Sequence, residues 1–94
     1  MALARVVTFE GVGQEQIDAI RQEINEGGPP EGMSPTEIMV LHDSEGEKAL
    51  VVVFFEGEDE YKKGDEVLSA MSADETPGRR TSVGKYDVAV RRTT

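Results

Sequence analysis

Residues 50–55 form an unbroken run of six apolar side chains, Leu-Val-Val-Val-Phe-Phe, in a chain that is otherwise polar and acidic. A strand with one solvated face alternates apolar and polar residues, whereas an unbroken run is typical of a strand buried on both faces. In a chain of 94 residues, two helices can cover one face of a sheet but hardly both. The run therefore predicts that a partner, most simply a second copy of the chain, covers the other face.

Composition excludes several classes of protein. The length of 94 residues suits one domain over 1–94. The absence of cysteine excludes disulfides, thiolate metal sites and cysteine nucleophiles. The net charge of −9 disfavours nucleic acid and anionic membranes as partners, because phosphate contacts need a basic surface. The N-terminal residues hold no apolar stretch long enough for a signal peptide or a membrane span, so we expect a soluble cytoplasmic protein.

The charge is unevenly distributed along the chain. Residues 1–78 carry 18 acids and five bases, a balance of −13, whereas residues 79–94 carry five bases and one acid, a balance of +4. One interpretation is a solvated basic edge strand that complements an acidic body. The other is that Arg79 and Arg80 bind an anionic group of a ligand.

Hydrophobic periodicity and turn residues predict the order strand, helix, strand, strand, helix, strand. The predicted strands are residues 4–10, 36–42, 48–55 and 80–92, and the predicted helices are residues 14–26 and 58–72. Ile17, Ile20 and Ile24 form a narrow apolar stripe on the first helix. Gly64, in the middle of the second helix, indicates close packing, and Gly84 indicates a bulge or the close approach of another backbone.

This order is the split βαβ, ferredoxin-like arrangement of the α+β class. Right-handed crossovers place both helices on one face of a four-stranded antiparallel sheet with strand order 4-1-3-2. The apolar run then lies on a central strand, with Leu50, Val52 and Phe54 on one face and the alternate residues on the other. One set would expose a patch on the order of several hundred Å², more than most monomers tolerate. We therefore expect a homodimer whose sheets pack face to face.

The hairpin of residues 38–55 with its acidic helix start, and the last strand around residues 82–90, resemble the dimeric α+β barrel superfamily. This group includes the antibiotic-biosynthesis-monooxygenase-like proteins. The resemblance covers most of the chain and implies a dimer with a small-molecule pocket between the helices and the sheet of each subunit. It also implies possible activities, since members include cofactor-independent oxygenases, haem-degrading enzymes and isomerases.

Few residues could carry chemistry. His42, the single histidine, could serve as a general base or a hydrogen-bond donor, or could simply end a hairpin strand. Tyr61, Tyr86 and Arg80 are candidate ligand-binding residues, although such tyrosines are more often core residues. The acidic residues 56–60 lack the spacing of a calcium loop, so neither a metal nor a cofactor is expected. Two functions stay open: a dimer that binds a small apolar or aromatic molecule between the helices and the sheet, and a cofactor-independent monooxygenase or isomerase.

Overall fold

A computed structural model describes residues 2–28, 32–70 and 78–92. In chain order the elements are β1 (Leu3–Glu10), α1 (Gln14–Gly27), β2 (Glu37–Asp43), β3 (Lys48–Phe55), α2 (Glu58–Ser69) and β4 (Arg79–Asp87). The predicted order is confirmed. Helix α2 ends three residues earlier than predicted, and Met71, which was expected on its apolar stripe, lies outside the described residues.

The four strands form one sheet in the order β2-β3-β1-β4, which is the predicted order read from the other edge. Every neighbouring pair is antiparallel. Strand β3, which carries the apolar run, therefore lies between β2 and β1. This arrangement confirms the ferredoxin-like βαββαβ topology.

Both helices pack on the same face of the sheet, called here the helix face. Two buried clusters lie between the helices and this face, and both take the odd-numbered residues of β1 and β3. The first cluster contains Leu3, Met33, Val53, Phe55 and Tyr61, and the second contains Val7, Phe9, Val12, Ile17 and Ala49. The structure thus decides which half of the apolar run meets the helices: Val51, Val53 and Phe55.

The apolar stripe predicted on α1 is confirmed. Ile17 is buried, and Ile20 and Ile24 are half-buried. The helix begins after Gly13, whose backbone N–H donates to Gln16 Oε1 at 3.0 Å, so a donor that the helix itself leaves unpaired is satisfied. None of the described helices is long and apolar enough to cross a membrane.

The last strand is shorter than predicted. It was expected over residues 80–92, but β4 ends at Asp87. Since β4 lies at the edge of the described sheet, β1 is its one neighbour, and their ladder ends where Leu3 meets Asp87. Among the described residues, one further backbone bond, from Val88 N to Ala2 O at 2.9 Å, continues it.

The prediction for Gly84 was wrong in both of its alternatives. The irregularity of β4 lies opposite the step from Thr8 to Phe9, and not at Gly84. What approaches Gly84 is a side chain rather than a backbone, because a Cβ added there would lie 2.6 Å from the ring of Tyr86. A side chain at position 84 would meet the ring of Tyr86, which is 59% exposed and free to turn away from the strand.

Candidate functional site

The sheet face away from the helices, called here the open face, carries the largest set of accessible apolar side chains that the structure describes. Strand register arranges it in three rows that run across the sheet. The hairpin row is Leu41, Leu50, Thr8 and Ser82; the middle row is Met39, Val52, Val6 and Gly84; the far row is Glu37, Phe54, Ala4 and Tyr86. Leu41 is 48% exposed and Tyr86 59%. The second face that the apolar run predicted is therefore present and accessible.

A shallow concavity of about 340 Å³ lies at the hairpin end of the open face. Leu41, Leu50 and Thr8 of the hairpin row line it, and Asp43 and Lys48, paired in register, stand beside them. His42 and Ala49 also line it, but their positions alternate onto the helix face. An apolar floor next to one acid and one base suits a small apolar molecule that carries a polar group.

The opposite end of the open face is partly covered by the segment that follows β4. The guanidinium of Arg91 lies 4.7 Å from the ring centroid of Phe54, and it forms an ion pair with Glu37. Both contacts fall on the far row. Ala4 in that row is buried, whereas Val6 and Thr8 in the other two rows are only half-buried.

His42 lies on the helix face and contacts a loop. Its Nε2 is 2.9 Å from the carbonyl oxygen of Val12. Because a carbonyl oxygen can only accept, Nε2 must carry a proton and donate. Val12 in turn donates its backbone N–H to the carbonyl of Glu47 at 2.7 Å, so the β1–α1 loop is tied to the β2–β3 hairpin at two points. This contact is structural, and a neutral His42 has only Nδ1 left as a base.

The candidate ligand-binding residues do not converge on one site. Tyr61 lies on the helix face, where its ring contacts Phe55 edge-on at 5.6 Å. Burial raises the pKa of Tyr61, and the nearby carboxylate of Asp65 adds to the effect. Tyr86 lies on the open face, on the other side of the sheet. The two phenols therefore lie on opposite faces of the sheet.

Two of the three basic side chains of β4 are paired with acids from other elements. Arg79 binds Glu10 of β1 at 2.8 Å, and Lys85 binds Glu58 of α2 at 2.6 Å. Arg80 is exposed, and no ion pair of Arg80 occurs within the described ranges. These pairs agree with the interpretation of β4 as a basic edge that complements an acidic body.

The sequence did not lead us to predict that Arg5 is a buried charged residue. Its side chain is 4% exposed on the helix face, where its Nε donates to Asp65 Oδ1 at 3.0 Å and its Nη2 lies 3.5 Å from Ser69 Oγ. A signal was present, because an alternation of two places Arg5 on the same face as Leu3, Val7 and Phe9. A charged residue within such a buried set requires a partner, and α2 supplies it.

Among the residues that the structure describes, no three metal-binding side chains lie close enough together to share an ion. No protein-family model matches the sequence, and no curated protein matches it. The chain has the ferredoxin-like fold and an apolar open face.

Proposed function

We propose that the protein is a homodimer that packs the open faces of two copies together and binds a small apolar or aromatic molecule. The observation that carries this proposal is the open face itself, where accessible apolar side chains of β2, β3 and β1 lie side by side: Leu41, Leu50, Met39, Val52 and Val6. Exposed apolar patches of this kind mark interaction sites in proteins that otherwise keep a charged surface. The remaining surface of this chain is strongly acidic, with a net charge of −9, which makes the apolar face stand out.

The ligand is proposed to occupy the hairpin concavity. Two buried clusters pack between the helices and the sheet, and the described concavity lies on the other face. A second copy laid on the open face would enclose this concavity and remove its apolar floor, Leu41 and Leu50, from water. Ligand binding and self-association would then favour each other. A ligand fills the concavity that would otherwise stay empty in the dimer interface, and the second copy shields the bound ligand from water.

The alternative is a cofactor-independent monooxygenase or isomerase. Such a reaction needs a base that faces a pocket. The observed geometry favours a binding role, since the His42 ring is bonded to Val12 on the helix face and the concavity opens on the other face.

Self-association is tested by sedimentation velocity at micromolar concentration, with two variants of matched exposure. Leu41, 48% exposed, lies on the open face, and Val83, 47% exposed, pairs with Val7 on the helix face. We expect the wild-type chain and Val83→Glu to sediment as dimers and Leu41→Glu to sediment as a monomer. A wild-type chain that sediments as one subunit would refute the homodimer.

Ligand binding is tested by thermal shift with anthraquinone and with haem as probes. We expect a stabilising shift with the apolar quinone that Leu50→Trp abolishes, because the larger ring fills the concavity. Val83→Trp, on the other face, should leave the shift unchanged. If His42→Ala loses the shift while its fold is intact, then the imidazole contributes to the site, and the enzyme alternative regains support.

A further inference from the structure

The segment that follows β4, residues 88–92 and called here the strap, does not continue the strand but occupies the open face. Its first residue, Val88, is bonded through its backbone N–H to Ala2 O at 2.9 Å. Three residues later, the side chain of Arg91 contacts Phe54 of β3 and Glu37 of β2. In the sheet order β2-β3-β1-β4, this path crosses from one edge strand toward the other.

We propose that the strap is an autoinhibitory cover, which competes with a second copy of the chain for the far row of the open face. This inference rests on the proposed homodimer. While Arg91 is held by Phe54 and Glu37, the row that contains them is unavailable to a partner, and only the hairpin and middle rows can pair. Release of the strap exposes Phe54, the largest apolar side chain of the open face, and enlarges the dimer interface.

The contacts of Arg91 with Phe54 and Glu37 are weak enough to be reversible. Arg91 and Glu37 keep side-chain exposures of 48% and 34%, so water and salt weaken their ion pair. The cation–π contact with Phe54 is likewise at an accessible site, where such contacts are weak. Val90, between the two attachment points, is 88% exposed and does not anchor the strap. The cover is thus held at its start by a backbone bond and near its end by one side chain.

The decisive variant is Arg91→Ala, compared with Arg92→Ala. Both variants remove one positive charge and so change the net charge of each copy by the same amount. The contacts with Phe54 and Glu37 are made by Arg91. Dimer dissociation constants are measured by sedimentation equilibrium. We expect Arg91→Ala to tighten the dimer by roughly ten- to a hundredfold, because each of the two copies loses one exposed ion pair and one exposed cation–π contact that together are worth about three- to tenfold. Arg92→Ala should leave it unchanged or slightly weaker. A chain that ends at Asp87 should dimerise at least as tightly as the Arg91→Ala variant.

The strap itself is followed separately in the Leu41→Glu chain, designed to be monomeric. There the Val88 amide should exchange slowly with solvent, and Arg91→Ala should speed its exchange while Arg92→Ala does not. A dimer that is unchanged or weakened by Arg91→Ala overturns the strap proposal and leaves the homodimer standing. If neither the wild-type chain nor Arg91→Ala associates at any concentration tested, the proposed homodimer is wrong. The proposed competition between the strap and a second copy is then wrong as well.

Discussion

Gly64 of α2 and Phe55 at the end of β3 are in direct contact, and the glycine leaves just the room that the ring occupies. A Cβ added to Gly64 would lie 2.3 Å from Cζ of Phe55, far inside any real carbon contact. Phe55 has no exposed surface, and Tyr61 packs edge-on against the same ring. The close packing that the sequence predicted at Gly64 is therefore confirmed, and it sets how near α2 comes to the sheet.

Gly64→Ala should destabilise the protein. An alanine gains about 1 kcal/mol of helix propensity, but overpacking a filled core costs about 1–3 kcal/mol, and the fully buried ring has little space into which it can move. We expect a net loss of up to about 2 kcal/mol in the free energy of urea unfolding.

The matched control is Gly27→Ala in α1, where nothing lies within 4 Å of the added Cβ. It should leave the free energy of unfolding unchanged or raise it. Phe55→Leu introduced together with Gly64→Ala should recover part of the loss. Equal losses for the two glycine variants would show that the ring contact is unimportant.

Asp65→Asn should destabilise the protein because it leaves the Arg5 guanidinium buried without its ionic partner. The loss expected is about 1–3 kcal/mol in urea unfolding, the usual cost of depriving a buried polar group of its partner. Glu66→Gln, one residue further along α2 and exposed, removes the same charge and should change little. Arg5→Met should cost less than Asp65→Asn, since an apolar side chain of similar length can replace a buried ion pair. The reverse order would contradict this account of Arg5.

His42→Ala should loosen the loop between β1 and α1. The carbonyl of Val12 loses its donor, and Val12 is fully buried, so we expect a loss of about 1–2 kcal/mol of stability. Amide exchange at Val12, whose N–H is bonded to Glu47, should become faster. His42→Gln retains a donor and should restore part of the protection. Unchanged exchange at Val12 in the alanine variant would show that this bond does not hold the loop.

The Glu58–Lys85 pair should appear in the titration of both groups. The hydrogen bond and charge of Lys85 hold the pKa of Glu58 below its ordinary value of 4.5, and Glu58 raises the pKa of Lys85 above 10.5. The Glu58 contribution to stability is present above pH 4.5 and is lost as the pH falls through the lowered pKa. The Lys85 contribution is present below pH 10.5 and is lost as the pH rises through the raised pKa.

A carboxyl-carbon NMR titration checks the acid side of this pair. Lys85→Gln should return the pKa of Glu58 toward 4.5, because the largest cause of its shift is removed. Lys63→Gln on the same helix removes an exposed cation that has no part in the shift, and it should leave the Glu58 pKa in place. A Glu58 pKa that does not respond to Lys85→Gln would mean that the pair does not persist in solution.

The sequence predicted the fold well because the fold is encoded in local patterns. The alternation of β1, the isoleucine stripe of α1 and the turn residues of the β2–β3 hairpin each specify one element, and chain connectivity then restricts their order in space. The end of β4 was missed because residues 88–90 of the sequence, Val-Ala-Val, are equally good in a strand. Among the described residues, the pairing with β1 continues beyond Leu3 through the bond from Val88 N to Ala2 O, and the strand ends at Asp87.

The candidate site was predicted only in outline. The run at 50–55 showed that both faces of β3 are apolar, but an unbroken run cannot say which alternate set meets the helices. Tyr61 and Tyr86 were grouped as candidates because both are aromatic and polar-tipped, whereas the register places them on opposite faces. The type of a side chain determines which reactions and contacts it can take part in. The face on which it lies depends on pairing with residues far away in the sequence.

What the sequence determined by itself is the order of elements, their approximate bounds and the existence of two apolar faces on the central strand, because these follow from periodicity within a few residues. Only the tertiary structure decided that Leu50, Val52 and Phe54 form the open face, that Arg5 is buried against Asp65, and that Arg91 lies over Phe54. Arg5 and Asp65 are 60 positions apart in the chain, Arg91 and Phe54 are 37 apart, and the pairing of β1 with β3 joins residues 38 or more apart. No local pattern encodes such contacts, because they arise only when the strands pair and the helices pack on them.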